Sequence, residues 1–252
     1  MMKKSHEIYS FILQISIRKV VVVLLSITAL QIVFSLDFWI NLLRAAKSLP
    51  NGYHITFLVQ NFRSQAINSF IPILAAVLTA GNYIEILKNK VAMYCLIRSS
   101  YCSTLFCISL VCFLFGGGVI LAGAIVSYGV ITALLSPVEV YSKVNTVSYT
   151  SLYQTFGLLF LNGGFWAIMG MTISTVMESK YIAYASPFVI YYLLVILCER
   201  YLPNAFLLYP PNWTDPDVWP FGVWGASVFL LELTALCGIV FTIRAGRRLR
   251  EL

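Results

Sequence analysis

The chain has 252 residues, of which 60% are hydrophobic and 11% are charged, and its formal net charge is +7. Soluble globular domains carry about 25% charged residues, so this composition excludes an ordinary soluble domain and indicates an integral membrane protein. The apolar residues form long runs without the strict alternation of barrel strands, which predicts an all-α membrane protein.

The apolar runs predict six transmembrane helices in a single domain over residues 1–252. A helix needs about 20 apolar residues to cross a bilayer. The runs of suitable length are 19–40, 63–83, 103–132, 152–177, 181–199 and 221–243.

Residues 3–18 precede the first predicted span and show two helical stripes. The polar stripe holds Lys3, Glu7, Ser10, Gln14 and Arg18, and the apolar stripe holds Ile8, Phe11, Ile12 and Ile15. This pattern predicts an amphipathic helix that lies on the inner leaflet. A frayed terminus is the alternative.

The basic residues predict the orientation of the chain. With the amino terminus inside, twelve of the 17 Lys and Arg residues fall on the cytoplasmic side and five on the outer side. Positive charge is retained in the cytoplasm, so we expect a multi-pass protein of the cytoplasmic (inner or plasma) membrane with both termini cytoplasmic. The basicity then reflects topology and contact with membrane lipids, and not nucleic acid.

Residues 82–100 follow the second predicted span and mix apolar with charged side chains. Glu85 and Lys88 lie one helical turn apart. Four charges in this stretch would be costly inside a bilayer. The segment therefore predicts a short amphipathic helix on the cytoplasmic side.

The third run contains three consecutive glycines, Gly116 to Gly118. Consecutive glycines weaken a helix and permit a kink. Two pairs of small residues spaced by four, Gly118 with Ala122 and Gly123 with Ser127, predict close approach of neighbouring helices.

Residues 199–220 connect the last two spans and contain clustered prolines around a short apolar stretch, Ala205 to Tyr209. This stretch is too short to cross a bilayer, so we predict a re-entrant or interfacial piece. We expect Tyr209, Trp213 and Trp219 at the level of the lipid headgroups.

The sequence lacks the usual catalytic constellations. Both histidines, His6 and His54, lie outside the predicted spans, and none of the six cysteines forms a two-residue-spaced pair. No Gly-rich Lys-Ser/Thr phosphate loop occurs. We therefore predict that the chain is not an enzyme, with no catalytic residue, no metal ligand and no cofactor of its own.

Polar residues inside the predicted spans are candidates for a substrate path. They are Asn68, Gln154, Asn162 and Glu232. Ionisable and polar side chains at membrane depth often mark a path, and Glu232 is the one acidic residue well inside a span. Hydrogen bonding between helices is the alternative for all four, and snorkelling to the interface is a further alternative for Glu232.

Residues 63–104 carry a resemblance to a known family. The pattern comprises Arg63, Asn68, Ala80-Gly81-Asn82, the run from Glu85 to Lys90, Arg98 and Tyr101. It resembles the bacterial type-2 ABC exporter permeases. In that family an amphipathic helix precedes six spans, a cytoplasmic coupling helix follows the second span, and re-entrant helices precede the last span.

The resemblance implies a transmembrane subunit of an ATP-driven exporter. A second permease copy or a paralogue would complete the substrate path, and each permease would dock on a separate ABC ATPase subunit that binds ATP and Mg. The substrate would be a peptide or bacteriocin, a lipid or a drug. The residues implied in ATPase coupling are Tyr83, Ile84, Glu85, Leu87, Lys88, Asn89, Lys90, Arg98 and Glu178.

Two other functions stay open. An ATP-independent secondary transporter would transport substrate as a purified chain in liposomes. A non-transporting membrane immunity protein would protect cells after inactivation of the partner ATPase.

Overall fold

A computed structural model describes residues 17–45, 49–88, 101–140, 149–177 and 179–250. The helices are α1 (Ile17–Val33), α2 (Leu36–Ala45), α3 (Tyr53–Arg63), α4 (Gln65–Asn68), α5 (Ile71–Lys88), α6 (Tyr101–Leu135), α7 (Tyr149–Ser174), α8 (Lys180–Arg200) and α9 (Val223–Arg250). Short 3-10 turns cover Ser136–Val138, Phe206–Leu208, Pro210–Thr214 and Pro216–Val218. Two strands of two residues, β1 (Leu49–Pro50) and β2 (Glu139–Val140), pair in parallel.

The fold confirms an all-α membrane protein. Helices α6, α7, α8 and α9 are each long and apolar enough to cross a membrane. Helix α3 and the stretch Gln65–Gly81 pass the same test together as a pair bent by 54°. Large apolar side chains such as Leu114, Val189 and Ile239 are exposed on these helices, as contact with lipid requires.

The first predicted span, 19–40, differs from the structure. Helix α1 ends at Val33, and a second helix, α2, starts at Leu36. The 17 residues of α1 rise roughly 26 Å, which is less than the bilayer hydrocarbon core of about 30 Å. The total of six spans therefore stays a prediction.

Helix α7 lies at the centre of the bundle and packs on α5, α6, α8 and α9. Glycines permit its contact with α6. A Cβ atom at Gly116 would collide with Ala167, and one at Gly163 would meet Ile120 at 2.7 Å. Helix α6 runs unbroken through the glycine triplet, so the glycines do not interrupt it, and Gly116 and Gly117 permit close packing on α7.

The two predicted small-residue pairs have different outcomes. Gly123 faces Ile27 of α1, and the Ser127 hydroxyl donates to Thr28 Oγ1 at 3.3 Å. This pair does bring α6 close to α1. Within the part of the chain that the structure describes, a Cβ atom at Gly118 would meet nothing within 4 Å, so its predicted role in helix approach stays a prediction.

The connections gather at the two ends of the bundle. At one end, which we call the lid end, β1 pairs with β2 and Arg63 pairs with Asp217. At the opposite end, Arg248 donates a hydrogen bond to the carbonyl of Thr175 at 2.8 Å.

Candidate functional site

Residues 203–219 form a compact segment at the lid end, which we call the lid. Proline fixes φ and removes a backbone donor, so a chain with clustered prolines forms short turns instead of a long helix. Two indole N–H groups hold the turns together: Trp213 donates to the Leu207 carbonyl at 2.9 Å, and Trp219 donates to the Asn212 carbonyl at 2.8 Å. The lid is therefore braced by its own side chains.

The lid tryptophans are buried inside the protein, so they do not face the lipid, and their predicted position at headgroup level stays a prediction. Trp213 is 1% exposed and Trp219 is 6% exposed. Trp213 inserts into the bundle and stacks on Trp166, with ring centroids 5.7 Å apart and planes at 27°. The Phe165 ring meets Trp213 edge-on at 5.4 Å. The lid is thus anchored in the helical core by an aromatic side chain.

Tyr209 differs from the two tryptophans because it is only half-buried. Its hydroxyl donates to Glu199 Oε1 at 2.9 Å. Burial, together with the hydrogen bond to the carboxylate of Glu199 and its negative charge, raises the pKa of Tyr209 to about 12. The tyrosine therefore keeps its proton and ties the lid to the end of α8.

The break between α3 and α4 directs two polar side chains at the lid. Ser64 is extended and ends α3, and its hydroxyl accepts from the Ile67 backbone N–H at the start of α4. Arg63 Nη1 lies 2.6 Å from Asp217 Oδ2 and 3.1 Å from Asp215 Oδ1. The Asn68 amide donates to Thr214 Oγ1 at 2.7 Å. The bend thus provides most of the polar attachment of the lid.

Several buried side-chain atoms lack a hydrogen-bond partner among the described residues, among them Arg63 Nε next to the lid. Four neutral ones are Asn68 Oδ1, Asn162 Oδ1, Trp166 Nε1 and Tyr191 Oη, and we call their residues the polar cluster. Asn162 lies one turn before Trp166 on α7, and the Tyr191 ring lies 6.1 Å from the Trp166 ring. An unsatisfied buried group costs about 1–3 kcal/mol, so this cluster has unused capacity to bind polar groups.

The predicted path residues separate into two pairs. Asn68 and Asn162 are both buried and belong to the polar cluster. Gln154 is half-buried, eight residues before Asn162 on α7. Glu232 is exposed on α9 between exposed Val228 and Leu236, so it lies outside the cluster.

The predicted coupling residues lie at the opposite end or outside the described residues. Tyr83, Glu85, Leu87 and Lys88 fall in the last turns of α5, so this segment begins as a continuation of the bent span. Ile84 is buried and packs with Ala80 and Ala183. Asn89, Lys90, Arg98 and Glu178 lie outside the described residues, as does the leader 3–18 apart from its last two residues.

The sequence reasoning missed a second polar site at the lid end, around Glu139. The Glu139 carboxylate accepts from the backbone N–H groups of Gly52 at 3.0 Å and His54 at 2.8 Å, and from His54 Nδ1 at 2.9 Å. Burial acts to raise the pKa of Glu139, but the hydrogen bonds from His54 and Gly52 outweigh it, and the pKa is lowered. Glu139 thereby caps the start of α3 from a distant part of the chain.

A comparison with known protein families, curated proteins and solved structures finds no match to this chain. The polar atoms of the cluster are neutral amide, indole and phenol groups, and the Trp166 ring lies beside the rings of Tyr191 and Trp213. Within the described residues no three His, Cys, Asp or Glu side chains cluster as a metal site would require. These neutral donors and acceptors can bind a polar molecule.

Proposed function

We propose that the chain is a transmembrane permease subunit of an ATP-driven ABC exporter, acting with separate ATPase subunits and a second permease. The observation that carries this proposal is the polar cluster, which is buried among membrane-length helices and closed by the lid. In this proposal α1 and the bent α3–α5 unit also cross the membrane. Six spans then leave Ile17 and Arg250 on the cytoplasmic side and the lid on the outer side.

The polar cluster supports a transport path because polar groups are expensive at membrane depth. Hydrocarbon offers no hydrogen bonds, so such groups persist where they pair with each other or line a path. Asn162 lies on the central helix and is 2% exposed, yet its Oδ1 has no partner among the described residues. A transported molecule would supply the missing donor.

The packing at the opposite end supports a route from an ATPase to this path. Ile84 and Ala80 of α5 pack on Ala183 of α8, and Tyr184 sits so close to Gly81 that a Cβ atom there would collide with it. Tight packing makes α5 and α8 move together. Force on residues 83–97 would pass along α8 to Tyr191, and so to the polar cluster, as a rigid-body motion.

The coupling segment can be tested by the double substitution Glu85→Ala with Lys88→Ala. When the tagged variant is purified from its native membrane, we expect much less ATPase to copurify with it than with the unaltered chain. The copurified ATPase is identified by its amino-acid sequence. Arg200→Ala, an exposed arginine at the lid end, is the matched control and should leave ATPase retention unchanged. Equal retention by both variants would contradict the proposed coupling. Transport by the purified chain alone in liposomes would instead indicate a secondary transporter.

A further inference from the structure

The lid is attached to the bundle by contacts that can be broken without unfolding the helices. Its own turns are held by the indole hydrogen bonds of Trp213 and Trp219. Its side-chain hydrogen bonds and ion pairs to helices, among the described residues, involve Arg63, Asn68, Cys198 and Glu199. The side chain of Asp217 is 78% exposed, and exposed ion pairs contribute about 0–1 kcal/mol. Because its turns are held within the lid, we expect it to move as one unit once these polar contacts and the aromatic contacts of Trp213 and Trp219 are lost.

Trp219 packs against Phe229 of α9 at 5.2 Å, and Trp213 is the lid side chain that reaches the central helix α7. It stacks on Trp166 and contacts Phe165 and Phe229, with ring centroids between 5.4 and 6.1 Å. The aromatic contacts of Trp213 are satisfied, but the nearby Trp166 Nε1 and Asn162 Oδ1 have no partners among the described residues. The indole of Trp213 donates back to Leu207 within the lid, so it cannot satisfy them. This closed arrangement leaves donors and acceptors available for a different occupant.

The chemistry of the cluster defines that occupant. Two amide oxygens, an indole N–H and a phenol hydroxyl offer both acceptors and donors, and none of these groups carries a charge at neutral pH. At the rim, Arg63 Nη1 pairs with Asp215 and Asp217, while the buried Arg63 Nε has no partner among the described residues. The ring of Trp166 offers a stacking surface for an aromatic group.

We propose that the lid closes a binding site for an uncharged, hydrogen-bonding aromatic group, and that Trp213 occupies this site while the lid is closed. The group would belong to the transported molecule, so its role in export rests on the proposed function. The lid and the site themselves can be tested without ATP, ATPase or transport.

Lid opening can be measured by the reactivity of an Asn162→Cys thiol. The full chain in lipid nanodiscs is treated with a charged methanethiosulfonate reagent, and the rate for the native cysteines is subtracted. Adding Arg63→Ala should raise the labelling rate about fivefold, because it removes both ion pairs of the rim. Adding Arg200→Ala should not change the rate. Equal labelling rates in the two double variants would contradict the proposal that the lid opens when its ion pairs are removed.

The ligand class can be measured with N-acetyl-tryptophanamide, an uncharged mimic of Trp213. In the Trp213→Ala variant, this amide at saturating concentration should raise the midpoint of thermal unfolding by about 2–4 °C. N-acetyl-leucinamide, which lacks the ring, and N-acetyl-tryptophan, which carries a carboxylate, should have much smaller effects. Trp224→Ala is the control, because that side chain is 80% exposed and fills no site.

The binding claim is overturned if the amide shifts both tryptophan variants equally or shifts neither. If Trp213→Ala does not fold, Trp213→Leu removes the ring, keeps apolar bulk in the lid and allows the same comparison. Failure of the exporter proposal would leave these labelling and binding results intact. Conversely, an ATPase could copurify with the chain while the labelling rate and the thermal midpoint stay unchanged. That result would contradict the proposed lid site and leave the exporter proposal intact.

Discussion

At the scale of single residues, Glu139 shows how much of a site can be hidden in a sequence. Gly52 starts α3 in the left-handed conformation, with φ of 78°, and no local side chain caps the helix. Glu139 provides the cap from 87 residues further along the chain. No spacing rule connects the two positions, because they meet only when the connections of two helical hairpins pair at the lid end.

Glu139→Gln should lower the free energy of unfolding by about 1–3 kcal/mol at pH 7. The Glu139 side chain is only 7% exposed, and its carboxylate accepts charge-assisted hydrogen bonds. A neutral amide in its place would form weaker hydrogen bonds. The measurement is thermal or denaturant unfolding in one detergent. Glu199→Gln is the control. Glu199 is an exposed carboxylate at the same end, and a glutamine amide oxygen can still accept from the Tyr209 hydroxyl.

The stability difference between the native chain and Glu139→Gln should depend on pH. The folded-state pKa of Glu139 lies below its ordinary value of 4.5, so its contribution is fully present above that value. The contribution is lost as the pH falls through the lowered folded pKa. A gap between the two proteins that stays constant down to this acidic range would contradict the assigned role.

Glu232 marks the limit of residue-scale reasoning. Its position in an apolar run predicts membrane depth, but a sequence does not determine how a helix is rotated about its axis. The structure places Glu232 on the exposed face of α9, whereas Asn162 faces the core. Both residues are equally good path candidates from sequence, and only the packing of their helices separates them.

At the scale of elements, the apolar runs predict most helices, and the tertiary contacts determine where they bend. The glycine triplet of α6 is compatible with either a kink or a close helix contact. The structure has the contact, because α7 brings Ala167 and Phe160 against Gly116 and Gly117. The actual bend lies at Ser64, where the predicted span begins one residue before a helix break.

Gly163→Ala tests the α6–α7 contact. The added methyl group would lie 2.7 Å from Ile120, so we expect a loss of about 1–3 kcal/mol of stability through overpacking. Gly157→Ala is a matched control on the same helix, because a Cβ atom there meets nothing within 4 Å. Alanine favours a helix over glycine, so the control should be neutral or stabilising. Equal effects in both variants would show that the contact is absent.

At the scale of the whole molecule, composition alone predicts the all-α membrane class, because apolar helices satisfy their own backbone in lipid. The prolines predict a non-spanning segment before the last helix. They do not predict that Trp213 turns inward, since tryptophan suits both a membrane interface and a buried stack. The resemblance to exporter permeases combines these elements in one proposal. The identity of the chains that bind this protein tests that proposal.

The most direct test of that proposal is the composition of the complex that this chain forms in its native membrane. The account predicts that the tagged chain purifies with an ATPase and a second permease, and that native mass spectrometry finds two permease chains with two ATPase subunits. The purified complex should hydrolyse ATP. A chain that purifies alone, with no ATPase and no ATP hydrolysis, would contradict the account.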